Sequence, residues 1–196
     1  AWREFFYQVL YFNPEAVSEN YRDFENEIEW RNDPEELEAW KRGETGVPFV
    51  DAGMRQLNNT GYMHNRTRQN VASFLTKHLM IDWRKGARYF RKHLADHDVA
   101  SNNGGWQWAA STGTDSVSIR IFNPVKQGRE YDPDAEYIKR WVPELDGLKP
   151  ESIHNWVEMP PEKRKDLDVD YTKPIINFNQ RYHMGKKMFE NALGYN

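Results

Sequence analysis

Two tryptophans separated by one residue stand out in the segment NNGGWQW, which covers residues 102–108. Indole rings offer flat π-faces for stacking and a source of electrons for redox chemistry. The preceding glycines, Gly104 and Gly105, let a backbone approach a large flat ligand closely. The plain structural alternative is a glycine turn that leads into a buried aromatic helix. The segment therefore indicates a site for an aromatic ligand, with that alternative left open.

Two acids, Asp96 and Asp98, lie a few residues upstream of this motif. Carboxylates in a loop beside a pocket can accept hydrogen bonds from a ribose or an adenine, or shift the redox chemistry of a cofactor. Aspartate is also common in turns and at helix ends. Their position alone does not separate these roles.

A second candidate group lies at the start of a helix predicted over residues 64–79. Four of its residues share one face, at positions i, i+3, i+4 and i+7: Asn65, Arg68, Gln69 and Ala72. Such a face can form the floor of a site for a polar, aromatic ligand, and helix N-termini favour anions. The alternative is simple capping with a surface arginine. Arg66 lies about 100° around the helix from this face and can reach a phosphate instead.

Helical periodicity recurs along the chain and no long strand is indicated, so the fold class is all-α. The clearest start is Asp33-Pro34, since aspartate caps a helix and proline suits its first position. Residues 112–131 are predicted to be mostly loop, and prolines make residues 143–161 irregular. Helices are predicted over residues 2–12, 34–42, 48–60, 64–79, 83–94, 132–141 and 179–193.

Charge is distributed unevenly, although the net charge is only −3. Residues 13–44 carry 11 acidic and 4 basic side chains, a local net charge of −7. Residues 61–94 carry 8 basic side chains against Asp82 alone, a local net charge of +7. This contrast is compatible with a surface that faces a polyanion, or with ordinary solvated helix faces.

Several classes of protein are disfavoured by the composition. The 196 residues include no cysteine, which excludes disulfides and thiolate metal sites and fits a cytoplasmic protein. No apolar run of membrane-spanning length and no signal peptide is present, and no metal, triad or phosphate-loop motif indicates hydrolysis. The chain begins at Ala1 without a methionine, inside a predicted helix, which indicates a piece of a longer protein.

Several motifs, in this order, resemble the photolyase/cryptochrome family across nearly all of residues 1–150. They are WREF at 2–5, TGVPFVDA at 45–52, MHNR at 63–66, NNGGWQW at 102–108, YDP at 131–133 and WVPEL at 141–145. The chain resembles the C-terminal helical domain of a class I cyclobutane pyrimidine dimer photolyase, which binds FAD and DNA. The resemblance implies an α/β antenna domain and the FAD diphosphate loop upstream of residues 1–196.

The resemblance implies FAD as the cofactor, bound in a folded, U-shaped conformation. It also implies an antenna chromophore of the folate or deazaflavin type in the upstream domain. Asn102 matches the position that faces the flavin N5, where an amide favours the reduced, active cofactor. The positions that match FAD contacts or aromatic neighbours are Arg3, Asn65, Arg68, Phe90, Asp96, Asp98, Asn102 and Trp106.

The resemblance further implies ultraviolet-damaged DNA as the partner of a monomeric protein that acts away from membranes. Trp106, Trp83 and Trp30 match a chain of tryptophans that carries an electron to photoexcited flavin. The positions that match contacts to the lesion or its phosphates are Trp2, Asn65, Arg66, Gln69, Trp108 and Gln127. Asn65 and Asn102 are the implied catalytic amides. A thymine dimer must leave the duplex to reach a buried flavin, and photolyases belong to the base-flipping enzymes.

Two positions bear on the choice within the family. Gln69 stands where many dimer photolyases carry methionine, while Asn65 argues against (6-4) photolyases, which place a histidine there. The runner-up is a cryptochrome-like blue-light receptor, against which Asn102 and Trp108 argue. The third alternative is a helical structural domain without a cofactor.

Overall fold

The computed structural model describes residues 1–195, which form eleven α-helices and no β-strand. The all-α prediction is confirmed. The helices are α1 (Trp2–Phe12), α2 (Pro34–Arg42), α3 (Pro48–Thr60), α4 (Asn65–Ser73), α5 (Trp83–His93), α6 (Val99–Ala110), α7 (Pro124–Tyr131), α8 (Glu136–Trp141), α9 (Pro150–His154), α10 (Pro161–Lys165) and α11 (Phe178–Ala192). Short 3₁₀ turns occupy Pro14–Val17 and Pro143–Leu145.

The predicted start of α2 at Asp33-Pro34 and the predicted bounds of α2 and α3 are confirmed. The Asp33 carboxylate accepts the N–H groups of Glu35 and Glu36, each at 3.0 Å, and thereby caps α2. Gly43 and Gly61 end α2 and α3 in the left-handed conformation, both with φ of 67°. These helices then place their inward faces against the core.

The glycine pair does not form a turn, and that structural alternative is wrong. Both glycines lie inside α6, whose start is capped by Asp98 through the Ser101 N–H at 2.7 Å. A Cβ on Gly104 would overlap the Phe6 ring, so this glycine lets α1 pack closely on α6. A Cβ on Gly105 would meet no atom within 4 Å. The pair thus provides one close helix contact and one open face.

One predicted boundary is wrong, and one predicted loop also contains a short helix. Residues 112–131 are mostly loop as predicted, but their last 8 residues form α7, whose N-cap is Asn123. The helix predicted to start at Asp132-Pro133 starts three residues later, at Glu136. The aspartate still caps it, since its two carboxylate oxygens accept the second and third N–H groups of α8 at 2.9 and 3.0 Å. An N-cap asparagine followed by proline was a readable signal for α7.

The helix predicted over residues 64–79 is not uniform. After α4 it widens into a π turn at Phe74–His78, where the Leu79 N–H donates to the carbonyl five residues back at 3.1 Å. A Cβ on Gly185 of α11 would overlap the Lys77 carbonyl, so the π turn and α11 are in direct backbone contact. Such π turns are rare and occur mostly as single wide turns within α-helices.

Lys77 lies in the interior, which reduces the basic surface predicted for residues 61–94. Its side chain is 0% exposed, and its Nζ donates to the Ala110 carbonyl at 2.7 Å. The ammonium group lies 3.3 Å from the centroid of the Phe189 ring. Burial lowers the pKa of Lys77 well below its ordinary value. This lysine therefore adds nothing to a surface that faces a polyanion.

Large rings build the core. The main core lies among α2 to α6 and includes Trp40, Phe74, Trp83 and Trp106, while a smaller one joins α3 and α8 to the Trp156 region. α6 packs against α1, α4 and α5. No helix within residues 1–195 is long and apolar enough to cross a membrane.

His78 should make the fold sensitive to acid. Its ring is fully buried between Phe74 and Phe178, with centroid distances of 5.3 and 4.4 Å, and neither ring nitrogen has a partner among residues 1–195. Burial lowers the pKa of His78 to about 3, from an ordinary value of 6.5. Because the unfolded chain takes up a proton below about pH 6.5 and folded His78 does not, stability falls as the pH drops from there towards 3.

We expect His78→Phe to remove the contribution of His78 to the pH dependence of stability. Between pH 6.5 and 5 the free energy of unfolding of the wild type should fall by ~2 kcal/mol more than that of the variant. Urea unfolding at several pH values measures the difference. His183→Phe, on the exposed face of α11, should keep the wild-type slope. Parallel slopes for wild type and His78→Phe would contradict the assignment.

Candidate functional site

One cavity of about 660 Å³ opens among α1, α4, α5, α6 and the segment that follows α6. This volume lies in the range of sites that enclose small molecules and cofactors. Eleven of the fifteen site residues predicted from the sequence line it. They are Trp2, Arg3, Asn65, Arg68, Gln69, Phe90, Asp96, Asp98, Asn102, Trp106 and Trp108.

The floor at α4 is the face that helical spacing predicted. Asn65, Arg68, Gln69 and Ala72 all line the cavity. The Oε1 atom of Gln69 is buried and has no hydrogen-bond partner among residues 1–195. A buried acceptor without a partner is costly, so its position on the cavity wall indicates a ligand that donates a hydrogen bond.

Acid–arginine pairs line another side. The Arg68 guanidinium donates to both oxygens of Asp96 at 3.0 and 2.9 Å. Asp98 accepts hydrogen bonds from the Tyr7 hydroxyl and the Ser101 N–H, and Arg3 lies 3.9 Å away. Burial would raise the pKa of Asp98, but these hydrogen bonds and the Arg3 charge outweigh it, so the pKa lies below its ordinary value. Asp98 is therefore an ionised acceptor at the edge of the cavity.

Trp106 forms the deep aromatic end. It is 2% exposed, and its ring meets Phe90 edge-on at a centroid distance of 4.9 Å. A Cβ on Gly86 would overlap the six-membered ring of Trp106, so α5 holds this indole closely. The Nε1 atom of Trp106 is buried and has no hydrogen-bond partner among residues 1–195. The indole is fixed by packing alone.

Trp108 is partly buried and contacts both a cation and a ring. The Arg120 guanidinium lies 5.1 Å from its ring centroid, and the centroid of the Phe122 ring lies at 5.8 Å. Asp115 orients this arginine through contacts of 2.5 and 3.0 Å. Burial would raise the pKa of Asp115, but the hydrogen bond from Arg120 leaves it below its ordinary value. Trp108 is thus a rigid, half-buried stacking surface.

Asn102 is oriented by the neighbouring helix. Its Nδ2 atom donates to the Ala87 carbonyl of α5 at 3.1 Å, and the residue lines the cavity between Asp98 and Trp106. A side-chain amide held in this way presents a fixed dipole to a bound ligand.

Four predicted residues lie outside the cavity. Trp83 is buried in the main core, and Trp30 is partly exposed beside Phe189 at 5.7 Å. Arg66 and Gln127 are neighbours across α4 and α7, since Asn70 Nδ2 donates to the Arg66 carbonyl at 2.9 Å and to Gln127 Oε1 at 3.4 Å.

Sequence reasoning missed part of the lining. The residues concerned are Phe6, Leu94, His97, Ser101, Asp115, Ser116 and Arg120. Ser101 directly precedes the NNGGWQW motif, so the motif was a signal by which this residue could have been predicted. Asp115 and Arg120 come from a segment without periodicity, and no signal in the sequence placed them at Trp108.

The site combines an aromatic end, an amide floor and a charged edge. Within residues 1–195, no cluster of three or more His, Cys, Asp or Glu side chains has the arrangement of a metal site. A large ligand with flat rings and polar edges matches this lining, because rings can stack at Trp106 and Phe90 while donors reach Gln69, Asp96 and Asp98.

Known proteins are similar to this chain in sequence and in fold. The sequence profile of the FAD binding domain of DNA photolyase matches residues 1–191. A deoxyribodipyrimidine photo-lyase of Halobacterium salinarum is 56% identical over 195 residues, which are 99% of this chain and 40% of that protein.

Two solved structures are similar in fold. A class III photolyase of Agrobacterium tumefaciens has a TM-score of 0.90 at 44% identity, over 97% of this chain and 41% of that one. A cryptochrome of Synechocystis has a TM-score of 0.88 at 41% identity, over 95% of this chain and 40% of that one. The chain thus spans about two fifths of the length of each of these relatives.

Proposed function

The chain belongs to the family of DNA photolyase FAD-binding domains. From this premise we propose that it is part of a deoxyribodipyrimidine photo-lyase. The proposed reaction is the light-driven splitting of cyclobutane pyrimidine dimers in DNA. The observation that carries the proposal is the cavity, because it unites eleven predicted site residues from four separate helices and the loops between them. Such a convergence of polar and aromatic groups is the usual sign of a ligand site.

The cavity fits FAD. Its volume, the unpaired buried Gln69 acceptor and the open face at Gly105 all suit a large, flat ligand with donors at its edges. When bound, the cofactor would supply the light absorption and the electron that opens the dimer. We propose that the following residues hold it: Arg3, Asn65, Arg68, Phe90, Asp96, Asp98, Asn102 and Trp106.

Each group in that set has a definite task. The packed pair Trp106 and Phe90 would exclude water from the bound ring system. Asp98, kept ionised by its neighbours, would accept hydrogen bonds from ribose hydroxyls or from the adenine amino group. Asn102, whose side chain is held by the Ala87 carbonyl, would offer its amide to the flavin and favour the reduced cofactor.

The lesion would bind at the mouth of the same cavity. Trp2 is 71% exposed on α1, and Trp108 lies on α6, so two indoles border the opening. A dimer flipped out of the duplex loses its stacking in DNA, and indoles replace it. Asn65 and Gln69 would contact the flipped bases, while Arg66 and Gln127 would contact the surrounding strand.

Three tryptophans would carry electrons to the oxidised cofactor under light and so reduce it. Trp106 borders the cavity, Trp83 lies in the same buried core, and Trp30 reaches the surface. In this proposal each indole passes one electron inwards, and a thiol in solution supplies the last one.

We further propose the position of this chain in the whole protein. Residues 1–196 would be the C-terminal domain of a class I enzyme, preceded by an α/β antenna domain and by the loop that holds the FAD diphosphate. That domain would carry a folate or deazaflavin chromophore. The protein would act as a cytoplasmic monomer with damaged DNA as its partner.

The deciding experiment uses the full-length protein loaded with reduced FAD. Oligonucleotides that contain one thymine dimer are incubated with it under blue light or in darkness, and intact thymines are quantified. We expect restoration under light only. Binding of dimer DNA without any reversal under light would reject the repair function and favour the runner-up, a blue-light receptor of the cryptochrome type.

Trp108→Ala should weaken lesion recognition. Loss of one stacking surface is expected to raise the Kd for dimer DNA about 5- to 150-fold, equivalent to ~1–3 kcal/mol. Binding to undamaged DNA should change little. Tyr11→Ala is the control, because Tyr11 is an 80% exposed aromatic at the far end of α1. Equal dimer affinity of wild type and Trp108→Ala would contradict the stacking role, and Trp108→Phe should restore most of the affinity.

A further inference from the structure

The indole N–H groups of two neighbouring core tryptophans have opposite environments. The Trp106 Nε1 atom is buried without a partner among residues 1–195. The Trp83 N–H donates to Oδ1 of Asn20 at 2.9 Å. Both rings belong to one buried cluster, and Gly86, one helical turn beyond Trp83, packs directly on the Trp106 ring. The hydrogen bond of Trp83 is therefore a polar difference at the N–H groups of the two indoles.

Asn20 is held by the two helices that carry these indoles. Gln107, the neighbour of Trp106 on α6, donates to the Glu19 carbonyl at 3.1 Å and accepts the Tyr21 N–H at 2.8 Å. Arg84, the neighbour of Trp83 on α5, donates to the Ser18 carbonyl at 2.5 Å. The chain on both sides of Asn20 is thus fixed, so its amide is pre-positioned without relying on local helix structure.

An oxidised indole is a cation whose N–H becomes a strong donor. A fixed acceptor oxygen stabilises this cation, since hydrogen bonds from charged donors are stronger than neutral ones. An indole without an acceptor in an apolar surrounding gains no such stabilisation. The Arg84 guanidinium opposes a charge on Trp83 from 5.2 Å, but Asp82 pairs with it at 3.0 Å. The Asn20 dipole is therefore the uncompensated local influence.

We propose that Asn20 is a positioning residue that makes Trp83 easier to oxidise than Trp106. The inference rests on the proposed function. With FAD bound, Trp106 would give one electron to the light-excited, oxidised cofactor, and Trp83 would then give one electron to Trp106. Trp106 would be neutral again, and the positive charge would rest on Trp83. No proton moves, because the amide of Asn20 is not a base.

The hydrogen bond itself can be tested without light. In NMR spectra of the protein, the Trp83 indole N–H resonance is assigned by its absence in Trp83→Phe. Asn20→Leu should move it upfield, whereas Asn20→Asp should move it downfield. Asn26→Leu, an exposed asparagine in the same acidic stretch, is the matched control and should leave it unchanged. The Tyr21 N–H resonance reports whether the segment stays attached to Gln107.

Transient absorption of the FAD-loaded protein then tests the consequence. We expect Asn20→Leu to shift the charge balance between Trp83 and Trp106 about 10- to 100-fold towards Trp106 and to shorten the lifetime of the separated charge. Asn20→Asp should lengthen that lifetime, and a purely structural role would not predict opposite signs. If Asn20→Leu misfolds, Asn20→Ser and Asn20→Asp still give the comparison.

The experiments distinguish a failure of the proposed electron path from a failure of the role proposed for Asn20. If Trp106→Phe retains photoreduction, the proposed electron path is wrong. If Trp106→Phe blocks photoreduction while the Asn20 variants leave the lifetime unchanged, the path stands and the role of Asn20 is overturned.

Discussion

Trp106→Phe is expected to reduce the photoreduction of oxidised FAD by more than about tenfold while sparing repair by cofactor that is already reduced. Phenylalanine keeps an aromatic ring at this position, but its ring is far harder to oxidise than an indole. Absorption spectra under blue light with a thiol follow photoreduction, and dimer splitting after chemical reduction follows repair. The split between the two readouts is the signature of an electron donor.

Trp40→Phe is the matched control for this prediction. Trp40 is also fully buried, lies 6.0 Å from Trp106 between ring centroids, and loses a similar volume on substitution. Its indole N–H donates to the Val71 carbonyl, so the control also removes one hydrogen bond. We expect photoreduction to persist in Trp40→Phe. Equal losses in both variants would assign the effect to packing, and unchanged photoreduction in Trp106→Phe would remove it from the electron path.

Features set by residues close in sequence were predictable. The caps at Asp33 and Gly43 define α2 because each acts on backbone within one turn. The polar face of α4 follows from the 3.6-residue period, and the cavity uses it as predicted. The roles assigned around Trp106 and Trp108 came from the family resemblance, since spacing alone left a cofactor site and a buried aromatic helix equally open.

Features set by distant partners were not predictable. Arg120 reaches Trp108 because Asp115 orients it, and both lie in a segment without periodicity. The π turn that contains Lys77 is in direct backbone contact with α11, which lies about a hundred residues later in the chain. The sequence left a glycine turn open as an alternative because the contact that Gly104 allows is with the ring of Phe6, which belongs to another helix.

The partners of one buried carboxylate outside the cavity were likewise not predictable from the sequence. Asp51 of α3 is 0% exposed and accepts four hydrogen bonds. The Thr45 N–H and hydroxyl donate at 2.9 and 2.6 Å, the Gly46 N–H at 2.9 Å and the Tyr171 hydroxyl at 2.5 Å. Burial raises the pKa of Asp51 against these hydrogen bonds, and burial together with the Asp51 charge raises that of Tyr171. The carboxylate therefore joins the start of α3 to the late, irregular part of the chain.

Asp51→Ala is expected to lower the free energy of unfolding by ~3–5 kcal/mol, because it strands buried donors that water cannot reach. Urea unfolding measures the loss. Asp33→Ala is the matched control, since Asp33 also accepts two backbone N–H groups but at a partly exposed helix start, where ~1 kcal/mol is expected. Tyr171→Phe removes one donor together with its demand for a partner, so its cost should be well below that of Asp51→Ala. A loss for Asp51→Ala no larger than that for Asp33→Ala would mean that the buried donors find other partners and that the late segment is held by its apolar packing.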